Sequence, residues 1–182
     1  KAGPLLGMNG TSGLTDRHWR LPHGPGALVV LLLACGGCGY RFTAPGGALP
    51  EGVKAIHAPV FENRTGEPTA EIFFTQAFRE QLSRAGTLGT QAAEATVEGS
   101  LESVAGAPVL TAAGKLPTYR LSASVRLRLR REGRTLSEAA VTGTEDYLSG
   151  ADLLLTEANR SAALRRLAEQ LMREGYERLA SR

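Results

Sequence analysis

The clearest pattern in the chain is an unbroken alternation of side chains from Tyr119 to Arg130. Tyr, Leu, Ala and Val fill the odd positions, whereas Arg and Ser fill the even ones. Successive side chains of a β-strand point to opposite faces of the sheet, so a strand with this sequence buries one face and leaves the other in water. The pattern therefore predicts a half-buried strand over residues 119–130.

Two further strands are predicted around this one. The tetrapeptide Arg131-Glu132-Gly133-Arg134 is typical of a hairpin turn, because glycine tolerates a positive φ, and Thr135–Leu148 follows as the returning strand. Before it, Ala95–Val104 alternates in part. Residues 105–118 contain two glycines and two prolines and are predicted to form a loop.

The rest of the chain behind Cys38 contains one more strand candidate and two helix candidates. Lys54–Phe61 is a strand candidate in which Pro59 favours an edge position. Helical spacing after Thr65–Pro68 predicts a first helix that ends near Gly86. A second, long amphipathic helix is predicted from about Asp152 to Leu179.

The order of these elements is strand, helix, three strands, helix. Both helices need an apolar surface to cover, and the strands offer one apolar face. The sequence therefore predicts a single α+β domain in which two helices pack on one face of a four-stranded, mostly antiparallel sheet. No internal repeat or second domain is indicated.

The first 37 residues have the organisation of a secretory signal peptide with an upstream segment, and we expect them to be removed. Arg17 and Arg20 precede an apolar run of eight residues, Ala27–Ala34, and small residues follow it. A helix that crosses a bilayer needs about 20 apolar residues, so this run is too short to span. A buried core strand is the alternative interpretation.

Both cysteines of the chain, Cys35 and Cys38, directly follow the apolar run. The run Leu32-Leu33-Ala34-Cys35 is similar to a bacterial lipobox, which predicts an acylated cysteine and a lipid-anchored N-terminus. The alternative is a redox or metal-binding C-x-x-C pair. A zinc site would need two more ligands, and His57 is the one later candidate.

Charge and composition argue against nucleic-acid binding and against catalysis. Three of the 21 cations and one of the 18 anions precede Cys38, so the net charge falls from +3 to +1 behind that point. A basic excess on the folded part is therefore missing. Behind Cys38 the chain contains one histidine, His57, and two aspartates, which are few candidate groups for acid–base catalysis. We expect no enzyme activity, no cofactor and no metal.

An arginine row is the feature most suited to recognise a ligand. It consists of Arg120, Arg126, Arg128 and Arg130 on the polar face of the central strand, with Lys115 in the preceding loop. Planar guanidinium groups pair with phosphates in a two-pronged geometry, so we hypothesise that this row contacts an anionic glycolipid. The alternative is cross-strand ion pairing with Glu98, Glu102 and Glu138.

Several segments in this order resemble one known family. They are Cys38–Phe42, Leu49-Pro50, Ile56–Thr65, Glu145–Tyr147 and Thr156–Leu164. Together they are similar to the lipopolysaccharide-assembly lipoprotein family LptE, from Cys38 almost to the C-terminus. The resemblance implies two helices on a four-stranded sheet and a single LptE-like domain over residues 38–182. It also favours Cys38 over Cys35 as the lipidated residue, because the cysteine of that family directly precedes Gly-Tyr.

The functional implications of the resemblance are specific. It implies a non-enzymatic, lipid-anchored outer-membrane lipoprotein that plugs the β-barrel LptD, helps that barrel to assemble, and binds lipopolysaccharide during transport to the cell surface. Glycine rather than aspartate follows either cysteine, which is compatible with sorting to the outer membrane. The alternative is a structural envelope lipoprotein, a pilotin or an accessory of another outer-membrane machine, that binds no glycolipid.

Overall fold

The computed structural model describes residues 49–109 and 117–181. A short 3₁₀ turn, Pro50–Gly52, precedes five strands and two helices: β1 Ile56–His57, β2 Glu62–Asn63, α1 Ala70–Arg84, β3 Ala95–Val109, β4 Thr118–Arg131, β5 Arg134–Leu148 and α2 Leu153–Ala180. The predicted signal peptide, both cysteines and Lys115 lie outside the described residues.

The sheet confirms the predicted fold class. Its strand order is β1-β3-β4-β5, and β2 pairs with β3 further along the same edge. The long strands β3, β4 and β5 are antiparallel neighbours, whereas the short β1 and β2 run parallel to β3. The hairpin turn also forms as predicted, since Glu132 and Gly133 have positive φ values of 50° and 78°.

The predicted strand over residues 54–61 is wrong in its extent, because the sheet interacts with this region at two separate points. Between β1 and β2 the backbone bonds to α1 instead. Thr75 Oγ1 accepts from Phe61 N at 3.0 Å, and Arg79 Nε donates to Ala58 O at 2.9 Å. Pro59 has no N–H to add to a ladder, so the chain leaves the sheet here and turns Phe61 into the core.

The predicted loop over residues 105–118 is also wrong in its bounds. Strand β3 continues to Val109, where it pairs with Thr118, the first residue of β4. Gly106 and Pro108 do not break the strand because each has a partner across the ladder on β4, a tertiary contact that local propensity does not report. The register shifts once, after Leu101, and Glu102 is the extra residue of this bulge.

The core lies between the helices and one face of the sheet. The apolar positions of β4 from Leu121 to Leu129 are at most 1% exposed, and both Leu127 and Leu171 are fully buried. The predicted apolar stripe of α2 is buried along its length. Asp152 caps α2 by accepting from Leu155 N at 2.8 Å. The helices of the described ranges include none with the length and apolarity of a membrane span.

A network of polar contacts holds α2 against the segment that precedes α1. Arg160 makes a two-pronged ion pair with Glu67, in which Nη1 donates to Oε1 at 2.8 Å and Nη2 contacts Oε2. Asn63 Nδ2 donates to Glu67 O at 2.8 Å and to Glu71 Oε2 at 2.7 Å. Polar residues in two segments that carry the family resemblance, 56–65 and 156–164, therefore fix the packing of the two helical regions.

Two glycines allow close approach across the core. A Cβ at Gly99 would lie 2.5 Å from the ring of Phe61, and one at Gly175 would lie 2.5 Å from Leu127 Cδ1. Because Gly99 on β3 has no side chain, the ring of Phe61 can pack directly against this strand. The smaller volume at Gly175 lets α2 approach β4 closely.

We predict that Gly99→Ala destabilises the fold by about 1–3 kcal/mol, because the new methyl group overlaps a buried aromatic ring. The matched control is Gly106→Ala on the same strand, where a Cβ meets no atom within 4 Å. Urea unfolding of both variants measures the difference. Equal unfolding midpoints for Gly99→Ala and Gly106→Ala would contradict the packing of Phe61.

Candidate functional site

The face of the sheet opposite the helices carries rows of charged side chains. We call it the ionic face and define it by eight residues that lie next to one another on β2–β5 and just after β2: Glu62, Arg64, Glu98, Glu102, Arg126, Arg128, Arg130 and Glu138. The even-numbered positions of β4 supply its three central arginines, which are the polar half of the alternation that builds the core.

Glu138 on β5 joins two of the central arginines. Arg126 Nη1 lies 2.9 Å from Glu138 Oε1, and Arg128 Nε lies 3.2 Å from Glu138 Oε2. Arg126 also reaches Glu102 on the opposite side, with Nε 3.7 Å from Oε1. The antiparallel register places Arg128 directly opposite Glu138, whereas Arg126 lies opposite Ala140 and Ser100 and reaches its two glutamates diagonally.

The remaining pairs extend the network to both ends. Arg130 Nη1 lies 2.9 Å from Glu98 Oε1, and its Nη2 donates to Gly133 O at 2.7 Å. Arg64 Nη2 lies 2.8 Å from Glu62 Oε2, and its Nη1 lies 3.5 Å from Glu102 Oε1. Ion pairs thus cross the sheet from the segment after β2 to β5.

Neighbouring charges shift the acidity of this face. Hydrogen bonds from Arg126 and Arg128 hold the pKa of Glu138 below its ordinary value of 4.5. A hydrogen bond from Ser100, helped by Arg64 and Arg126, lowers the pKa of Glu102. Both carboxylates are therefore ionised at neutral pH and compete with any external anion for the arginines.

The formal charge of the ionic face is zero, since four arginines face four glutamates. The cross-strand pairing that the sequence offered as an alternative is present at Arg126, Arg128 and Arg130. These side chains nevertheless stay open to solvent, with Arg126 44% and Arg128 47% exposed. A phosphate could reach them, although it would have to displace or share a glutamate.

Arg120, the fourth member of the predicted row, is separate from this network. It makes a two-pronged pair with Asp146 through Nε at 2.7 Å and Nη2 at 2.8 Å, which lowers the pKa of Asp146. Tyr119 and Tyr147 stack beside this pair on the other face, with ring centroids 5.5 Å apart. The structure thus brings together three of the four predicted arginines.

Two members of the ionic face, Glu62 and Arg64, were missed by the sequence analysis. They join it because β2 pairs in parallel with β3 at Ser100 and Leu101. The signal was the short alternation Glu62-Asn63-Arg64, which is too brief to assign to a strand without knowledge of its partner.

Two further observations concern His57 and possible metal ligands among the described residues. His57 is half-buried on β1. The described ranges contain no cluster of three or more His, Cys, Asp or Glu side chains that could hold a metal ion. What the ionic face offers is a set of guanidinium groups at fixed spacing, which suits recognition of a polar or phosphorylated surface.

Comparison with known proteins gives one family and several similar folds. The family model LptE, described as lipopolysaccharide-assembly, matches residues 53–179. A candidate lipoprotein from Caulobacter crescentus has 16% identity and a TM-score of 0.51, and the alignment covers 67% of this chain and 88% of that one. The rare lipoprotein B from Shewanella oneidensis has 16% identity and a TM-score of 0.48, with 66% and 93% covered. No curated protein sequence matches the chain significantly.

We predict that replacing Arg126 and Arg128 together by Gln raises the pKa of the Glu138 carboxyl toward 4.5, because both groups that stabilise its charge are lost. Carbon-detected NMR titration of labelled glutamate measures this pKa. The control Arg173→Gln, on the far side of the domain, should leave it unchanged.

Because the pKa of Glu138 is lower in the folded protein, its contribution to folding stability depends on pH in a defined direction. The ionised Glu138 carboxylate stabilises the fold fully well above the pKa of the unfolded chain, and this contribution to the free energy of unfolding decreases progressively as the pH falls from there through the lower folded pKa. An unchanged Glu138 pKa in the Arg126/Arg128 variant would show that the pairs do not persist in solution.

Proposed function

Because the chain belongs to the LptE family of lipopolysaccharide-assembly proteins, we propose that it is an outer-membrane lipoprotein that plugs an LptD-like β-barrel, helps that barrel to assemble, and takes part in lipopolysaccharide transport to the cell surface. Family membership over residues 53–179 is the observation that carries this proposal. In this role the protein acts by binding and not by catalysis.

Lipid attachment at Cys38 supplies the membrane anchor in this proposal, with Cys35 as the alternative. Acyl chains on a cysteine contribute about 0.8 kcal/mol per buried methylene, so a multiply acylated N-terminus holds a domain at the membrane without a spanning helix. Mass spectrometry of the mature N-terminal peptide distinguishes the two cysteines.

The polar character of the ionic face supports a position inside a barrel. The lumen of a large outer-membrane barrel is polar, so a plug needs polar side chains where it contacts the wall. The ionic face provides such a surface over the whole width of the sheet. Its zero formal charge also avoids strong repulsion by a wall of either sign.

Within this face, Arg126 and Arg128 are the proposed contacts for lipopolysaccharide phosphates. Among the described residues, Arg128 makes one side-chain hydrogen bond, from Nε to Glu138 at 3.2 Å. Its terminal nitrogens can therefore donate to a phosphate without breaking that bond. The proposed outer contacts are Arg120 and Arg130, which lie on either side of this pair along β4, and Lys115, which precedes β4 in the sequence.

A structural role without glycolipid binding is the second candidate. The observation in its favour is the internal pairing of the arginines with Glu98, Glu102 and Glu138. A self-neutralised face contributes little long-range attraction for an anion. Such a protein would be a pilotin or an accessory of another outer-membrane machine.

We predict that a C-terminally tagged, lipidated form purified from native outer membranes in mild detergent retains one large β-barrel at equal stoichiometry, together with lipopolysaccharide. Mass spectrometry identifies the barrel, and a lipid A assay measures the glycolipid. A membrane lipoprotein of unrelated fold, tagged and purified in parallel, is the control for carry-over. Recovery of the protein alone, or with a different machine, would support the structural role instead.

We predict that Arg126→Glu combined with Arg128→Glu weakens binding of purified lipopolysaccharide by at least about tenfold, since charge-assisted hydrogen bonds contribute about 1.5–3 kcal/mol each. The matched control is Arg84→Glu with Arg173→Glu, which makes the same charge change on the helices. Binding is measured by biolayer interferometry after circular dichroism has shown that both variants fold. Equal loss in both pairs would indicate nonspecific attraction, and no loss in either would remove these arginines from the binding site.

A further inference from the structure

Three hydrogen bonds show which residues of β5 direct their backbone groups toward the edge that faces away from β4. Ser149 N donates to Pro117 O at 2.9 Å, so the odd-numbered residues at this end direct their backbone groups toward β4. Arg178 Nη1 donates to Ala140 O at 2.5 Å, and Asn159 Nδ2 donates to Leu148 O at 3.0 Å, both from α2. The pairing of β4 with β5 has no irregularity between these positions. Between Ala140 and Leu148, the even-numbered residues of β5 therefore direct their N–H and C=O groups toward the outer edge.

The two side chains from α2 leave an open stretch between them. Arg178 caps the carbonyl of Ala140 and Asn159 caps that of Leu148, whereas none of the residues that the structure describes bonds to the outward backbone groups of Thr142, Thr144 and Asp146. All three residues are exposed, and within the described ranges no strand pairs with this edge. An uncapped, regular edge of this kind is a template for another strand.

A groove lies beside the open stretch. Its lining comes from the end of β5, with Asp146, Tyr147 and Leu148, and from α2, with Asn159, Ala162 and Arg166. A strand added to the edge would direct alternate side chains toward the helix layer, and thus toward this groove. Backbone pairing and a side-chain pocket are the two components of strand-addition recognition.

We propose that the β5 edge from Thr142 to Asp146 binds an extended segment of a partner polypeptide as an additional strand of the sheet. The proposal rests on the proposed function, because the segment is assigned to the barrel partner. It identifies how that partner is recognised: by backbone hydrogen bonds at Thr142, Thr144 and Asp146, with one partner side chain in the groove beside Leu148.

A single extended segment fits this edge better than a second copy of the chain does. A copy that joined edge to edge would bring its own α2 alongside this one, on the same side of the sheet. The capping side chains Arg178 and Asn159 of both copies would then lie at the junction. A lone segment brings no helix layer, and it can occupy the few residues between the two caps.

The test compares Thr144→Pro with Thr144→Ala in the full-length, lipidated protein, coexpressed with the barrel. The N–H of Thr144 points toward the open edge, so proline removes a donor that no described residue uses and leaves the bonds to β4 intact. Alanine removes the same side chain but keeps the donor. We expect barrel recovery to fall at least about fivefold with proline and less than twofold with alanine.

Hydrogen exchange in the parent protein gives a second readout that does not depend on folding of the proline variant. The amides of Thr142, Thr144 and Asp146 should exchange at least about tenfold more slowly in the purified barrel complex than in the free protein, whereas the amides of Val141, Gly143, Glu145 and Tyr147 already bond to β4 in both. Electron-transfer fragmentation resolves neighbouring amides.

The outcomes separate the two proposals. If the parent protein recovers no barrel, the proposed function fails. If the barrel is recovered but proline has no effect and the three amides stay unprotected, the strand-addition proposal fails alone. Protection that appears in a purified homodimer, without the barrel, would assign the edge to a second copy and overturn the proposal.

Discussion

The strict alternation on β4 is the constraint on which the rest of the structure depends. Its apolar half is fully buried and must be covered, and α1 and α2 supply that cover. Its polar half cannot be buried against an apolar layer without large desolvation costs, so the other face of the sheet is left for water or for a polar partner. One strand therefore determines which side of the domain is the core and which side can meet a partner.

In the function that we propose, the ionic face recognises its partner by the arrangement of its side chains and not by net charge. Glutamates on β3 and β5 pair with the arginines of β4, and Glu138 holds two of them at once. These pairs keep long side chains in fixed positions while leaving them close to half exposed. A phosphate that replaces or shares Glu138 would meet guanidinium groups already oriented, which lowers the entropic cost of binding.

Long periodic elements could be predicted from the sequence, and elements defined by a distant partner could not. The central strand, the hairpin turn at Gly133 and the stripe of α2 were predicted correctly because their signals are local. Residues 105–109 were assigned to a loop because Gly106 and Pro108 are turn formers, yet pairing with β4 keeps them extended. Glu62 and Arg64 were missed because parallel pairing with β3 is what brings them to the ionic face. The open edge of β5 depends on caps from α2, which no local pattern reports.

The central claim is that this domain sits inside a barrel with its ionic face against the wall or the glycolipid. The most direct test is single-particle cryo-electron microscopy of the complex purified from native outer membranes, at a resolution that shows side chains. We expect the sheet and both helices within the lumen, with Arg126 and Arg128 in contact with the wall or with a lipopolysaccharide phosphate. A domain bound outside the barrel, or an ionic face that opens to bulk solvent, would contradict the account.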